Sequence, residues 1–358
     1  MAEGIIAGPC LAATEFVLRG DLIPVSEHRI TDLPDPTEFA RFKPGFGSRF
    51  ILTVDTEEEF DWTKPIAREG HTVHTVTRLA RFQEFCEGQG VIPIYLIDYP
   101  IATSPTAADI LRPAIAAGRA EVGVQLHPWV SPPFDEEVNE RNSFVGNLPE
   151  ELEREKFRRL YDAIAENFGA LPRIYRAGRY GVGPNTATIL SDHGIAIDSS
   201  VRASFDYSAG GGPNFRDHPL QPYWLNRSRG LAELPLTTVY WGVLRQLGPV
   251  LYPAMWRAPR LRGALARIGL LERIPLTPEG VTAEEAVRAI DIAIDDNLPV
   301  LVFSFHSPSL APGYTPYVRS EDDLDRFYDW WREVFAYLRH RGVAPSSVAE
   351  IIDSIELA

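Results

Sequence analysis

Five short apolar runs of the sequence end in charged or titratable side chains. In chain order, these side chains are Asp55 with Glu57, His127, Arg176 with Arg179, Asp198, and His306. Runs of this kind predict buried β-strands. In parallel α/β proteins the carboxyl ends of the strands form the open edge of the sheet, and catalytic groups collect there. We therefore expect these side chains to meet in one site.

The first run, residues 52–57, places two carboxylates close together. Alternate side chains of a strand share a face, so Asp55 and Glu57 point in the same direction. A bound cation would relieve their repulsion, and so would a shared proton, which raises one pKa. An exposed acidic loop is an equal alternative for this feature alone, because two further glutamates and an aspartate follow within four residues.

The run over residues 121–127 carries Gln125 and His127 on one face. A lone histidine is more often structural than a metal ligand. This one stands at the end of a β run and is followed at once by Pro128 and Trp129. That position favours a functional role.

The last run, residues 301–306, is mostly apolar and ends in His306. Burial of an imidazole costs free energy unless a partner hydrogen-bonds it, so a backbone carbonyl or a carboxylate must lie nearby. We expect that partner to be Asp198, at the end of the run 195–198. A histidine oriented by an aspartate is a good general acid.

Residues 176–181 place two arginines and a tyrosine on a glycine-containing turn. Arg176 can hold a carboxylate through two parallel hydrogen bonds and fix its orientation. Arg179 and Tyr180 are candidate substrate-binding residues, as is Trp129. Pairing of Arg179 with a surface acid is at least as good an interpretation.

Alternating strands and helices are needed to position these residues. Predicted strands cover residues 50–54, 91–97, 121–126, 173–176, 195–198, 233–236 and 300–305. Predicted amphipathic helices cover residues 77–88, 106–117, 149–168, 185–193, 282–295 and 321–341. This alternation predicts βα units around a parallel sheet, and therefore the α/β class. We interpret residues 1–48 as an arm packed on that domain, and the proline-rich and glycine-rich stretch 202–277 as a long insertion near the active site.

The composition argues against several classes of partner. Asp and Glu outnumber Lys and Arg by 49 to 35, and the formal charge of −14 repels phosphate backbones, so nucleic acid is not expected to bind. No apolar run approaches the ~18 residues that span a bilayer. Acidic Glu3 stands where a secretory signal would carry a basic residue, which favours a cytoplasmic location. Two cysteines are too few for a disulfide framework.

The residues at these strand ends, in this order, resemble the motifs of the polysaccharide deacetylase superfamily, the NodB-homology or carbohydrate esterase group. The resemblance spans about residues 50–310. Residues 52–62, Leu-Thr-Val-Asp-Thr-Glu-Glu-Glu-Phe-Asp-Trp, look most like the WalW-like branch, which is found near polysaccharide genes. The resemblance implies a distorted (β/α) barrel of the NodB type over residues 49–358.

In that superfamily a divalent metal, usually zinc, polarises the amide carbonyl and binds the attacking water. The resemblance implies the following roles: Asp55 as base, Glu57 and His127 as metal ligands, Arg176 as the residue that steadies the base, Asp198 as the residue that tunes the acid, and His306 as that acid. Gln125 stands where the branch has another histidine. Its amide oxygen suits a harder cation better than zinc, and we retain it as a third candidate ligand.

The function implied by the resemblance is hydrolysis of C–N amide bonds, as a deacetylase of N-acetylated sugars or of a polysaccharide precursor. Hydrolysis of small linear or cyclic amides is one alternative. The other is a catalytically silent glycan-binding protein of the same fold, for which Gln125 is the best support. A cytoplasmic location favours a nucleotide sugar, a lipid-linked precursor or a small amide as substrate.

Overall fold

The computed structural model describes residues 29–255 and 258–356. The strands of this part are β1 Arg49–Thr56, β2 Pro93–Ile97, β3 Glu121–Leu126, β4 Ile174–Ala177, β5 Ile197–Asp198, β6 Tyr223–Asn226, β7 Leu231–Glu233, β8 Thr238–Trp241, β9 Glu272–Pro275, β10 Val300–His306 and β11 Ala344–Pro345. Its α-helices are α1 Leu79–Gln89, α2 Tyr99–Ala102, α3 Pro105–Ala116, α4 Glu150–Phe168, α5 Thr186–Asp192, α6 Gly248–Ala254, α7 Pro259–Arg267, α8 Ala283–Asp295, α9 Glu321–His340 and α10 Val348–Ser354.

Most strands form one sheet in the order β10-β1-β2-β3-β4-β5-β7-β6, with β11 pairing to β1. Every neighbouring pair in this order is parallel except β7 with β6. The sheet curls into a half-barrel surrounded by helices. The predicted α/β fold class is therefore confirmed, and most predicted strands and helices agree with the structure within about two residues.

The two faces of the sheet differ in what covers them. Phe50, Leu52 and Val54 of β1 belong to the large core beneath the helices. Ile51 belongs to a smaller core on the concave face, and Asp55 has the same parity on the strand. Because successive side chains of a strand point to opposite faces, alternate apolar side chains of β1 pack against the helices, and Asp55 points to the concave face.

The predicted insertion over residues 202–277 divides into two parts. Its β6 and β7 belong to the main sheet, and β7 ends at Glu233, where the predicted strand over 233–236 begins. Its β8 and β9 form a separate antiparallel pair whose connection carries α6 and α7. The base of this pair contacts the far edge of the sheet, because the Val302 N–H donates to Thr237 Oγ1 at 2.9 Å and the Ser304 N–H donates to the Leu276 carbonyl at 3.2 Å.

The described part of the predicted N-terminal arm, residues 29–48, packs on the sheet and the last helix. Phe39 forms an isolated antiparallel bridge with Tyr223, and Phe42 forms one with Ile355. Residues 1–28 lie outside the described residues. Among the helices of the described ranges, none combines the length and the apolar character that crossing a bilayer requires.

Candidate active site

A cavity of about 650 Å³ opens where β1, β3, β4 and β10 end. Nine of the ten residues that the sequence predicted for the site line it: Asp55, Glu57, Gln125, His127, Trp129, Arg176, Arg179, Tyr180 and His306. Asp198 is the exception. The carboxyl ends of parallel strands thus meet as expected.

Asp55 lies in the cavity wall and is only 2% exposed. It is in register with His306 on the adjacent strand, and His306 Nε2 lies 4.0 Å from Asp55 Oδ2. Arg176 Nη1 donates to Asp55 Oδ1. Arg176 uses one N–H for this bond rather than two, because its Nε and Nη2 donate to Ser199. The carboxylate is therefore fixed on one side and faces the imidazole on the other.

The carboxylate that orients His306 is Glu279, which the sequence analysis did not single out. His306 Nδ1 lies 2.7 Å from Glu279 Oε2, and Glu279 Oε1 accepts from Ser309 Oγ at 2.6 Å. Glu279 lies in the turn between β9 and the capping box of α8, and its own N–H donates to Thr277 Oγ1. Burial disfavours the charged imidazole, but Glu279, Glu57 and Asp55 outweigh it and raise the pKa of His306 to about 10. At neutral pH this imidazole is protonated.

The expected pairing of Asp198 with His306 is wrong, and the alternation of strand side chains explains why. Asp198 is in register with Tyr175, whose ring lies in the core beneath the helices, whereas neighbouring Ile197 lies in the concave core. Asp198 therefore points away from the cavity. It accepts from Ser200 Oγ at 2.6 Å and shares a buried pocket with Glu233, and burial raises the pKa of both acids.

Glu57, Gln125 and His127 converge on one point of the cavity wall. Glu57 Oε2 lies 3.6 Å from His127 Nε2 and 3.4 Å from Gln125 Nε2. Glu57 Oε1 and Gln125 Oε1 are buried and have no hydrogen-bond partner. A carboxylate oxygen and an amide oxygen without partners, on side chains that neighbour an imidazole, are a donor set that a divalent cation would satisfy. These residues therefore fit a metal ion.

The pKa of Glu57 is raised to about 8, mainly by burial; His306 and His127 oppose this rise, and Glu58 and Asp55 add to it. Without a cation this carboxyl group holds a proton at neutral pH. A cation would favour the charged form and release that proton. The electrostatics of the site thus agree with its orphaned oxygens.

The orientation of His127 is set by a residue that the sequence analysis treated as part of an acidic loop. Glu58 is fully buried, and its Oε2 lies 2.8 Å from His127 Nδ1. Its Oε1 accepts from Trp129 Nε1 at 2.7 Å. A carboxylate on one ring nitrogen leaves the other available as a ligand. Gly178 leaves room for the His127 ring, because a Cβ at this position would come within 2.3 Å of His127 Cδ2.

A second group, Glu58, Asp98 and His127, is also close enough to hold a cation, with one atom of each within 4.8 Å of the others. Its carboxylate oxygens are already occupied, however. Asp98 accepts from the N–H groups of Ile101 at 2.9 Å and Glu58 at 2.6 Å. A cation would have to displace these donors, so Glu57, Gln125 and His127 are the better candidate site for a cation.

The three candidate substrate-binding residues differ in their surroundings. Trp129 is 5% exposed and stacks on the His127 ring at 4.4 Å. Arg179 donates to Ser143 and lies 3.6 Å from Glu140 Oε1. This agrees with the alternative interpretation, in which Arg179 pairs with a surface acid. Arg179 and Tyr180 both adopt a positive φ, 52° and 60°. Such backbone is unfavourable for non-glycine residues and is concentrated at functional sites.

Lys156 of α4 holds the loop that follows β3 and was also missed. It is fully buried, and its ammonium group donates to the carbonyls of Pro128, Ser131 and Pro133 at 3.0, 2.6 and 2.5 Å and pairs with Glu136 at 2.9 Å. A Lys in a helix rich in charged residues of both signs gives no sequence signal for such a role. Glu58 gave a partial signal, because it directly follows Glu57.

No protein-family model and no curated protein sequence matches this chain. Among solved structures, a putative polysaccharide deacetylase from Mycobacterium smegmatis is similar, with 18% identity, a TM-score of 0.49, and coverage of 90% of this chain and 94% of that one. A family 4 carbohydrate esterase from Streptomyces lividans, in complex with acetate, has 11% identity, a TM-score of 0.41, and coverage of 87% and 97%. A CE4 family pseudoenzyme from Bacillus anthracis has 8% identity, a TM-score of 0.43, and coverage of 87% and 67%.

These likenesses carry no argument about activity, because the identities and TM-scores are low. They also do not place the chain in the WalW-like branch, which stays a prediction. What the site can do therefore rests on its own geometry.

Proposed function

We propose that this chain is a metal-dependent hydrolase of C–N amide bonds, and that it removes the acyl group from N-acetylated sugars. The observation that carries the proposal is the pairing of Asp55 and His306 across adjacent strands, 4.0 Å apart, beside Glu57, Gln125 and His127 in one cavity. A base, an acid and a cation site within one cavity are the groups that amide hydrolysis requires.

Asp55 is placed to act as the base. Its Oδ1 is engaged by Arg176, so Oδ2 is the atom that faces the cavity and His306. Water adds to the amide carbonyl carbon and gives its proton to this carboxylate. The ion pair with Arg176 holds the carboxylate in one orientation while the proton is transferred.

His306 is placed to act as the acid. Its Nδ1–H donates to Glu279, and its Nε2–H is then free to face the substrate. As the C–N bond breaks, the imidazolium gives the Nε2 proton to the departing nitrogen, and the products are a carboxylate and an amine. A pKa of about 10 keeps the ring protonated before that transfer.

The cation held by Glu57, Gln125 and His127 would supply Lewis-acid polarisation of the amide carbonyl and a lower pKa for the attacking water. We propose zinc as the first metal to test, as the resemblance to deacetylases implies. The amide of Gln125 favours a harder cation such as Mn²⁺ or Mg²⁺ as the second.

The walls of the cavity support a sugar as substrate. Trp62, Tyr180, Tyr207 and Tyr317 line it, and aromatic rings with polar edges are suitable surfaces for the apolar face of a sugar ring. The cytoplasmic location expected from the sequence favours a nucleotide sugar or a lipid-linked precursor over a finished polymer.

The test is release of acetate from N-acetylglucosamine, its short β-1,4 oligomers and UDP-N-acetylglucosamine. The protein is stripped of metal with a chelator and then given zinc, cobalt, manganese or magnesium in turn. We expect acetate release that chelation abolishes and one of these metals restores. A panel of small linear amides and cyclic imides, run in parallel, identifies the alternative substrate class.

A catalytically silent glycan-binding protein is the second candidate, and Gln125 favours it. A carboxamide in place of an imidazole weakens a zinc site. Binding of sugar without hydrolysis under every metal would replace the proposed function by this one.

A further inference from the structure

Arg202 lies on the wall of the same cavity, shortly after β5, and was not singled out by the sequence analysis. Its guanidinium lies over the ring of Phe205 at 3.9 Å and over the ring of Tyr180 at 5.2 Å. Its Nη1 donates to Tyr207 Oη at 3.2 Å. The Tyr180 and Tyr207 rings stack on each other with centroids 5.6 Å apart. The guanidinium is thus held in place by aromatic side chains.

Within the ranges 29–255 and 258–356, no carboxylate oxygen lies within 4 Å of the Arg202 guanidinium. The other arginines of the cavity do have such partners: Arg176 pairs with Asp55, and Arg179 with Glu140. None of the nitrogens of Arg202 is both buried and unbonded, so the N–H groups not used by Tyr207 remain accessible. An accessible, immobilised guanidinium is suited to bind an anion.

The absence of an acidic partner is notable because acids outnumber bases in the chain by 49 to 35. A second cation lies close by, since Arg273 stacks on Phe205 at 3.5 Å. Arg273 lines a neighbouring pocket together with Glu272, Glu279 and Glu285, so the positive charge on this part of the cavity wall is that of Arg202. In the catalytic part Asp55 is paired with Arg176 and Glu279 with the protonated His306, so Arg202 is the cavity arginine whose charge is left to attract an anionic group.

We infer that Arg202 binds an anionic substituent of the substrate, so that the favoured substrate is an N-acylated sugar carrying a carboxylate or a phosphate. This inference rests on the proposed function and deepens it. The Tyr180 and Tyr207 rings form the surface between the anion subsite and the catalytic groups. An anion held at Arg202 limits the orientations of the sugar in the cavity, so that its amide can be held near Asp55 and His306.

The test compares three probes: N-acetylglucosamine, N-acetylmuramic acid, which adds a carboxylate, and N-acetylglucosamine 6-phosphate, which adds a phosphate. Dissociation constants are measured by calorimetry in an Asp55→Asn background, where turnover is suppressed, and kcat/KM is measured with an intact Asp55. The variant is Arg202→Gln, and Arg81→Gln is the matched control. Arg81 also lies over an aromatic ring, that of Tyr328 at 4.5 Å, but it does not line the cavity.

We expect at least one anionic probe to bind more tightly than the neutral probe, and Arg202→Gln to reduce that preference roughly 10- to 100-fold, as loss of a charge-assisted hydrogen bond does. Arg81→Gln should keep the preference. The anionic probe that loses more affinity identifies the carboxylate or the phosphate as the ligand. Tyr207→Phe, which removes the hydrogen bond but keeps the charge, should give a smaller loss.

Equal or undetectable binding of the anionic and neutral probes would overturn the inference, and so would a preference that survives Arg202→Gln. These results are distinct from failure of the proposed function. If the neutral sugar is hydrolysed but the anionic groups improve neither affinity nor kcat/KM, the proposed hydrolase activity is supported and the anion subsite is wrong. If an Arg202-dependent preference for anionic probes appears without any hydrolysis, the anion subsite is supported and the proposed hydrolase activity is wrong.

Discussion

Two groups of buried acids lie at the strand ends, on opposite faces of one sheet. On the concave face, Asp55 and Glu57 open into the cavity and meet basic side chains there. On the helix-covered face, Asp198 and Glu233 are fully buried against each other. The groups share residue type, burial and strand-end position. What separates them is the direction of the side chain, which decides whether a substrate can reach the acid.

The same comparison applies to two consecutive residues. Glu57 faces the cavity with one oxygen unpartnered, whereas Glu58 points behind His127 with both oxygens hydrogen-bonded. The first is suited to bind a cation, and the second is suited to orient a ligand. Burial alone therefore does not distinguish a candidate cation ligand from a residue that orients one. An unpartnered oxygen in a cavity wall does.

The largest expected difference between the two faces is in turnover. Asp55→Asn should reduce kcat by about 10²- to 10⁴-fold, because it keeps the shape and removes the proton acceptor. Asp198→Asn should cost less than about tenfold, since its carboxyl group faces away from the substrate. Initial rates of acetate release, with melting temperatures as the control for folding, measure both. Equal losses in the two variants would mean that the buried pair Asp198 and Glu233 takes part in catalysis.

The metal site can be strengthened at Gln125. A neutral imidazole is a better zinc ligand than a carboxamide oxygen, so Gln125→His should raise zinc affinity by about tenfold or more. Calorimetry measures the affinity, and Gln89→His, at the C-terminal end of α1, controls for a histidine added elsewhere. If native turnover falls while zinc binds more tightly, the site is adapted to another cation. Absence of divalent-metal binding in both proteins would contradict the metal-hydrolase proposal.

The acid can be weakened through Glu279. This carboxylate favours the protonated imidazole of His306, so Glu279→Gln should lower the pKa of His306 from about 10. Activity that needs the protonated ring falls as the pH rises through that pKa, so the alkaline limb of the pH–rate profile should move down by about one unit or more. An unchanged alkaline limb would show that another group sets it.

The smallest effect is expected in how the stability of the protein depends on pH through the two acids of the helix-covered face, Asp198 and Glu233. Burial raises the pKa of both Asp198 and Glu233 above their ordinary values. The folded state therefore holds protons that the unfolded state releases, and stability falls as the pH rises above the ordinary carboxyl pKa of about 4. Glu233→Gln removes one titrating group and should flatten this decline. Melting temperatures at pH 5 and pH 8 test it, and the variant should gain relative to wild type only at pH 8.

The sequence by itself determined the fold class and predicted nine side chains that meet in one cavity. Alternating apolar runs and amphipathic stretches predicted the parallel sheet, because a strand buried on both faces must be apolar and a helix lying on it must be amphipathic. The period of two within each strand then predicted that Asp55 shares a face with Glu57 and Gln125 with His127. These are local properties of the chain, and they need no knowledge of what lies across the sheet.

Only the tertiary structure decided which carboxylate meets which partner. Asp198 was assigned to His306 because both end a strand, but the short strand β5 presents it to the opposite face. Glu279 reaches His306 from a turn 27 residues earlier, and Lys156 donates to carbonyl groups 23 to 28 residues before it. Such partners are chosen by distance in the folded chain and by the cost of burying an unsatisfied polar group. Neither is encoded in the spacing of residues along the sequence.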